Sequence, residues 1–115
     1  MTDSTMAKTR LNGTTLLVRP EQSLDNYSAP EMIEAISEAL ANNVTFVIVD
    51  MEQVEFISSA GAGSLVGNVE ALRSRGGDLI ICNLTAAVLH VFDILDLTDY
   101  LTISKDLSEA KALIH

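Results

Sequence analysis

The feature that most constrains the fold is an apolar run from Val44 to Met51, in which β-branched residues predominate. A strand with one face in water would alternate apolar and polar residues, whereas a continuous apolar run is typical of a strand buried on both faces. A second run, Asp78 to Cys82, has the same character. Strands of this kind belong to parallel sheets that are covered by helices on both faces. The two runs therefore predict an α/β fold.

The segments around these two runs alternate between strand and helix patterns. Asn12-Gly13 lies between two β-rich segments and is a strong hairpin signal. The predicted elements are, in order, strands over 8–11 and 14–19, a helix from 28, a strand over 44–51, a helix over 61–74, a strand over 78–82, a helix over 85–95, a strand over 100–103 and a helix over 107–114. We predict an α/β fold with a mixed β-sheet of about five strands and four helices, in the order β-β-α-β-α-β-α-β-α.

Helix-capping residues support these boundaries. Ser28 is expected to cap the first helix, with Glu31 at the capping-box position. Asn42-Asn43 predicts the end of that helix, and Gly76-Gly77 predicts the end of the second. Asp106 is expected to cap the last helix.

Length and charge restrict the kind of protein. The 115 residues fit one domain, with residues 1–7 expected to form a disordered tail. The net charge is −9, so a nucleic-acid backbone would repel the chain, and no basic cluster overrides that repulsion. Anionic membranes are disfavoured for the same reason. With no secretory signal and no apolar run long enough to cross a bilayer, we expect a cytoplasmic protein without membrane insertion.

Motifs for metal, cofactor or enzyme chemistry are weak. Cys82 lies inside an apolar strand and is interpreted as a small buried hydrophobe. His90 and His115 have no acid or cysteine at metal-ligand spacing beyond what chance gives, and neither a Walker A lysine nor a Gly-X-Ser-X-Gly elbow occurs. We predict no metal, no cofactor and no catalysis. A serine nucleophile at Ser58 or Ser59 is the enzymatic alternative, but it needs a base within about 3 Å and has no sequence-local candidate.

The connection between the buried strand and the second helix is the most informative segment. Ser58 and Ser59 are followed there by three very small residues, Ala60, Gly61 and Ala62. A helix N-terminus carries roughly half a positive charge and favours an anion. A phosphate on Ser59 would be tolerated there and would add about −1.5 to −2 charges. The alternative is purely structural, with serine as an N-cap and glycine and alanine permitting close packing.

Four motifs resemble the STAS domain of bacterial anti-sigma factor antagonists. They are Val47–Met51, Val54–Gly63, Arg75–Leu79 and Val91–Leu97. The resemblance covers residues 11–114, nearly the whole chain, and implies a STAS-like fold and a single STAS domain over 1–115.

The resemblance also implies partner switching. In this family the unmodified antagonist binds an anti-sigma factor, often a GHKL-type serine kinase, and so frees the sigma factor. The kinase phosphorylates a serine that matches Ser59 by position, with Ser58 as the alternative, and a PP2C-type phosphatase restores the active form. Asp25 resembles an acidic residue of the loop beside the switch. The implied partner-binding set is Asp25, Ser58, Ser59, Ala60, Gly61 and Ala62.

The segment departs from the family pattern Asp-Ser-Ser/Thr-Gly-Leu-Gly at three positions. Ser58 stands in place of the aspartate, Ala60 in place of the second hydroxyl residue, and Ala62 in place of the leucine. These differences motivate a second interpretation, a non-phosphorylated STAS scaffold or regulatory subunit of a sensory complex or transport system. The oligomeric state stays open.

Overall fold

Seven strands and five helices are present in the computed structural model, which describes residues 6–114. The elements are β1 (Met6–Asn12), β2 (Thr15–Pro20), β3 (Gln22–Leu24), α1 (Ala29–Ala41), β4 (Phe46–Asp50), β5 (Val54–Ile57), α2 (Ser59–Val66), α3 (Val69–Ser74), β6 (Asp78–Cys82), α4 (Ala86–Ile94), β7 (Thr102–Ile103) and α5 (Leu107–Ala112). The main sheet has the order β1-β2-β4-β6-β7, and β3 and β5 form a separate parallel pair. Only the β1–β2 hairpin is antiparallel. The predicted α/β fold with a five-stranded mixed sheet is confirmed.

The central strand is buried on both faces, as its sequence predicts. All five residues of β4 are buried. Val47 and Val49 belong to the larger core cluster, which contains the buried side chains of α1 to α4. Phe46 and Ile48 point to a smaller cluster with Ala110 of α5. The sheet therefore has four helices on one face and one short helix on the other.

Three helices end in the same left-handed turn. The residue after the C-cap has a positive φ in α1 (Asn43, 66°), in α3 (Gly76, 83°) and in α4 (Asp96, 57°). In each case the next N–H donates to the carbonyl five residues earlier, which is a Schellman ending. The predicted stops at Asn42-Asn43 and Gly76-Gly77 are confirmed. None of the described helices is long and apolar enough to cross a bilayer.

The connections differ from the sequence prediction. No element is predicted from the sequence for residues 21–27, which contain β3, or for residues 52–60, which contain β5. The helix predicted over 61–74 begins earlier, at Ser59, and is broken at Gly67-Asn68 into α2 and α3. Strands of three and four residues with exposed polar positions give little sequence signal, since each depends on its partner.

Two local predictions at the chain start and at α1 are wrong. Met6 and Ala7 belong to β1, so the tail expected over residues 1–7 cannot include them, and residues 1–5 lie outside the described part. Ser28 occupies the N-cap of α1, but its side chain makes no cap hydrogen bond. Its hydroxyl instead accepts a hydrogen bond from the Asp25 N–H at 3.0 Å. Asp106 caps α5 as expected, accepting from the Glu109 N–H at 2.8 Å.

Two glycines allow backbones to approach closely. A methyl group on Gly61, at the start of α2, would overlap the carbonyl oxygen of Leu24 at the end of β3. A methyl group on Gly77 would overlap the Thr45 carbonyl oxygen at the start of β4. Both obstacles are backbone atoms, which cannot move aside as a flexible side chain can. Gly61 therefore sets how near α2 lies to β3.

This geometry predicts opposite effects for two substitutions in one helix. Gly61→Ala should lower the free energy of unfolding by about 1–3 kcal/mol, because the methyl group is forced against backbone. Gly63→Ala is the matched control, since a methyl group there meets open space, and it should raise stability by up to about 1 kcal/mol through helix propensity. Urea unfolding of both variants tests this. Equal stability of the two variants would contradict the close approach.

Candidate functional site

Ser58 joins β5 to α2 and has a structural role. Its backbone is extended, and its Oγ accepts a hydrogen bond from the Gly61 N–H at 3.1 Å, which makes it the N-cap of α2. The same hydroxyl donates to Oδ1 of Asn26 at 3.4 Å. The N-cap interpretation is thus correct for Ser58, whose hydroxyl is already engaged on both sides.

Ser59 has a different environment. It is the first residue of α2 and is exposed to solvent. Within residues 6–114 its hydroxyl has no hydrogen-bond partner. A modifying protein could therefore reach it without opening the core. Phosphorylation of Ser59 itself stays a prediction.

The small residues that follow divide into surface and core. Ala60 is exposed, but Gly61 and Ala62 are buried. The last two belong to the predicted partner-binding set; they are buried in the free chain, and their contact with a partner stays a prediction. They shape the site, Gly61 by its approach to β3 and Ala62 by packing in the larger core cluster.

The loop after β3 is held by the carboxylate of Asp25. Its Oδ2 accepts a hydrogen bond from Ser23 Oγ at 2.9 Å, and its Oδ1 accepts from the backbone N–H groups of Tyr27 (2.9 Å) and Ser28 (3.2 Å). These bonds, the one from Ser23 first, lower the pKa of Asp25. The carboxylate therefore stays ionised at neutral pH and fixes the loop that carries Asn26 beside Ser58.

Two exposed aromatic residues lie on the segments that adjoin the serines, and the sequence analysis missed them. Tyr27 is 86% exposed in the Asp25 loop, and Phe56 is 57% exposed on β5. Pairing of β3 with β5 brings their segments together, with Ser23 opposite Phe56. Exposed aromatic side chains are typical of binding surfaces. The sequence does not mark either residue as exposed. In the structure Phe56 points outward between the buried Val54 and Ile57.

The charged side chains of this region are all acidic. No lysine or arginine occurs between Arg19 and Arg73, whereas nine acidic residues do. That stretch supplies β3, α1, β4, β5 and α2. The elements that carry Ser59 therefore provide no cation to pair with an added phosphate.

A second polar cluster lies at the end of β4, and its buried carboxylate is fully hydrogen-bonded. The buried Asp50 carboxylate accepts hydrogen bonds from Arg19 Nε (3.1 Å), Asn83 Nδ2 (3.0 Å) and the Glu52 N–H (3.1 Å). Cys82 is buried beside it, and burial raises its pKa to about 12, so its thiol is inert as expected. Over the described residues no group of three or more histidine, cysteine, aspartate or glutamate side chains could hold a metal ion.

Known proteins share both sequence and shape with this chain. The anti-sigma-B factor antagonist of Listeria monocytogenes is 29% identical over 80 residues, which is 70% of each protein. Among solved structures, the anti-sigma factor antagonist SpoIIAA in its unphosphorylated form has a TM-score of 0.80 at 21% identity, covering 96% of this chain and 99% of that one. SpoIIAA of Bacillus in its phosphorylated form has a TM-score of 0.73 at 21% identity, covering 94% and 98%.

These structural likenesses show the fold, since the identities are low. The family follows from the sequence, because the STAS domain matches residues 6–110, which include every strand and the whole of α1 to α4. The chain therefore belongs to the STAS domain family.

Proposed function

We propose that this protein is an anti-sigma factor antagonist that binds an anti-sigma factor when Ser59 carries no phosphate. The observation that carries the proposal is the exposed, unpartnered hydroxyl of Ser59 at the capped start of α2. The names of the relatives support the kind of partner. That SpoIIAA was solved in phosphorylated and unphosphorylated forms supports the kind of switch.

A phosphate on Ser59 would change docking more than folding. In the free protein the phosphate would lie in water at the N-terminus of α2, where the helix dipole favours an anion. In a complex the same group would have to leave water beside Tyr27 and Phe56, and an unpaired buried charge is costly. The acidic stretch around it would add repulsion from any acidic partner surface. Phosphorylation is therefore expected to release the partner.

Ser59 is a better phosphoacceptor than Ser58. A phosphate on Ser58 would remove the hydroxyl proton that is donated to Asn26 Oδ1 and would require its half-buried side chain to move outward. Ser59 has neither constraint. The proposed modification site is therefore Ser59.

The remaining partners follow from the family. The anti-sigma factor is proposed to be a GHKL-type serine kinase that phosphorylates Ser59, and a PP2C-type phosphatase is proposed to reverse the reaction in the cytoplasm. We propose no catalytic role for the chain itself. Neither serine is hydrogen-bonded to a histidine or a carboxylate in the described structure, so neither has the base that a nucleophile needs.

One observation favours a second candidate, a STAS scaffold or regulatory subunit that is not phosphorylated. Serine and aspartate are equally good N-caps, so the fold does not require Ser58 in place of the family aspartate. The replacement nevertheless removes a carboxylate next to Ser59, which a kinase could need for recognition. Affinity capture that recovers a permease or a large homotypic assembly, without a kinase, would favour this candidate.

The phosphorylation site can be tested by mapping. After incubation with the cognate kinase and ATP, mass spectrometry should locate phosphate on Ser59. Ser58→Ala should still be phosphorylated at Ser59, although loss of the cap should lower the free energy of unfolding by about 1 kcal/mol. Phosphate on Ser58, or undiminished labelling of Ser59→Ala, would contradict the assignment.

The effect of charge can be tested by binding. Ser59→Asp should weaken binding to the anti-sigma factor by at least about tenfold, which corresponds to about 1.4 kcal/mol. Ser59→Ala is the neutral control and should bind nearly as the unmodified protein does. Isothermal titration calorimetry gives both affinities. Equal affinity of the two variants would argue against a charge-controlled switch.

The exposed aromatic residues should anchor the partner. Tyr27→Ala and Phe56→Ala should each weaken binding by about 30-fold, because truncation of a central aromatic typically costs about 2 kcal/mol. Both melting temperatures should change little, since the side chains are exposed. Leu113→Ala is the matched control: Leu113 is 44% exposed next to α5 on the other face of the sheet and should leave affinity unchanged. Comparable losses in all three variants would place the interface elsewhere.

A further inference from the structure

The C-terminal end of α4 presents apolar side chains to solvent. Only Val88 and Phe92 of its nine residues are fully buried. Ile94, the last helical residue, is 65% exposed, and Leu95, the C-cap, is 40% exposed. Leu89, five residues before Ile94, is also exposed but points to another side of the helix. Ile94 and Leu95 are therefore two adjacent, large apolar side chains that are exposed at the end of a short helix.

Acidic residues lie among these side chains, where they oppose the helix dipole. Asp93 is in the last turn of α4, and Asp96 follows the C-cap. The C-terminal end of a helix carries partial negative charge and favours cations, so both carboxylates are placed unfavourably. Asp96 also has a φ of 57°, in a turn position that glycine usually occupies. Neither carboxylate is therefore expected to stabilise the helix.

Within residues 6–114, neither of these carboxylates is in an ion pair. No lysine or arginine occurs between Gly76 and Ser104. Arg73 reaches the connection after α4, but its Nε donates to Asp78 Oδ1 at 2.9 Å and its Nη2 to the Tyr100 carbonyl at 2.7 Å. Its charge is thus already paired.

This surface lies at the opposite end of the molecule from Ser59. Because β6 and β7 are parallel, α4 must return the chain to the edge of the sheet where β7 begins. In the same way, α2 and α3 lead from Ser59 back to the edge where β6 begins. The end of α4 is therefore far from the start of α2, and a protein bound at one need not displace a protein bound at the other.

We infer that this surface, named here the α4-end patch (Asp93, Ile94, Leu95 and Asp96), is a second docking site and that it binds a cationic amphipathic segment of another protein. The exposed apolar side chains fit the apolar face of such a segment, and the carboxylates fit flanking lysine or arginine residues. A second copy of this chain is a poor occupant, because each copy carries a net charge of −9 and the patch is acidic. The inference does not depend on phosphorylation of Ser59.

The test is a titration of the full-length, ¹⁵N-labelled protein with a synthetic amphipathic peptide of leucine and lysine at physiological salt. Chemical-shift changes should concentrate on residues 89–99. The double variant Asp93→Asn/Asp96→Asn should raise the Kd by about fivefold, the sum of two exposed ion pairs. Ile94→Ser should also weaken binding.

A matched surface on α1 controls for general attraction of a cation to an acidic protein. Glu34→Gln/Glu38→Gln removes two charges beside the exposed Ile33 and should leave the Kd nearly unchanged. Equal weakening by both double variants would overturn the inference. So would equally tight binding of a leucine–glutamate peptide, or self-association of the protein through residues 89–99.

The variant Asp96→Gly tests whether Asp96 contributes to peptide binding and not to the stability of the fold. It should raise the melting temperature, because it relieves the positive φ and removes an unfavourable charge, and it should weaken binding of the leucine–lysine peptide. A lowered melting temperature would show that Asp96 stabilises the fold and would overturn the argument from its placement.

Discussion

The site depends on one backbone contact, the approach of α2 to the end of β3 at Gly61. Because no side chain separates Gly61 from the Leu24 carbonyl, the start of α2 lies directly against the strand that leads into the Asp25 loop. The Ser58 N–H donates to the same Leu24 carbonyl at 3.0 Å. Two segments far apart in sequence are thereby joined, and Asn26, Ser58 and Ser59 form one surface. A larger residue at position 61 would move the start of α2, which carries Ser59, away from the end of β3.

The sequence predicted those parts of the fold whose signals are local and strong. The runs 44–51 and 78–82 have no alternative to burial, and Gly76-Gly77 marks a helix end through backbone freedom. What it could not predict depends on tertiary contacts. β3 and β5 are stable only as a pair, and Ser28 satisfies the Asp25 loop instead of its own helix because that loop is fixed by Asp25. Tyr27 would be read from sequence as a core residue as readily as a surface one.

Ser58 and Ser59 are adjacent but have different roles: Ser58 caps α2, and Ser59 is the proposed switch. The cap requires an oxygen at position 58 that accepts from the Gly61 N–H, which either serine or aspartate supplies. Position 59 requires only an exposed hydroxyl on the first helical turn. Replacing the family aspartate by Ser58 therefore keeps the geometry and changes the charge beside Ser59 by one unit. Since the cap is intact, we expect the replacement to affect recognition by other proteins and not the fold.

The distribution of charge determines how far a phosphate on Ser59 can act. Three of the seven basic residues are held in ion pairs, Lys8 with Glu31, Arg19 with Asp50 and Arg73 with Asp78, so the acidic surfaces keep their sign. At physiological salt an electrostatic field decays over about 8 Å, whereas the molecule measures 37 × 32 × 23 Å. A phosphate at the start of α2 therefore changes the potential around Tyr27 and Phe56 but not at the opposite end of the sheet. A phosphate on Ser59, as proposed, would therefore control binding at one surface and leave the proposed α4-end patch available to a second protein.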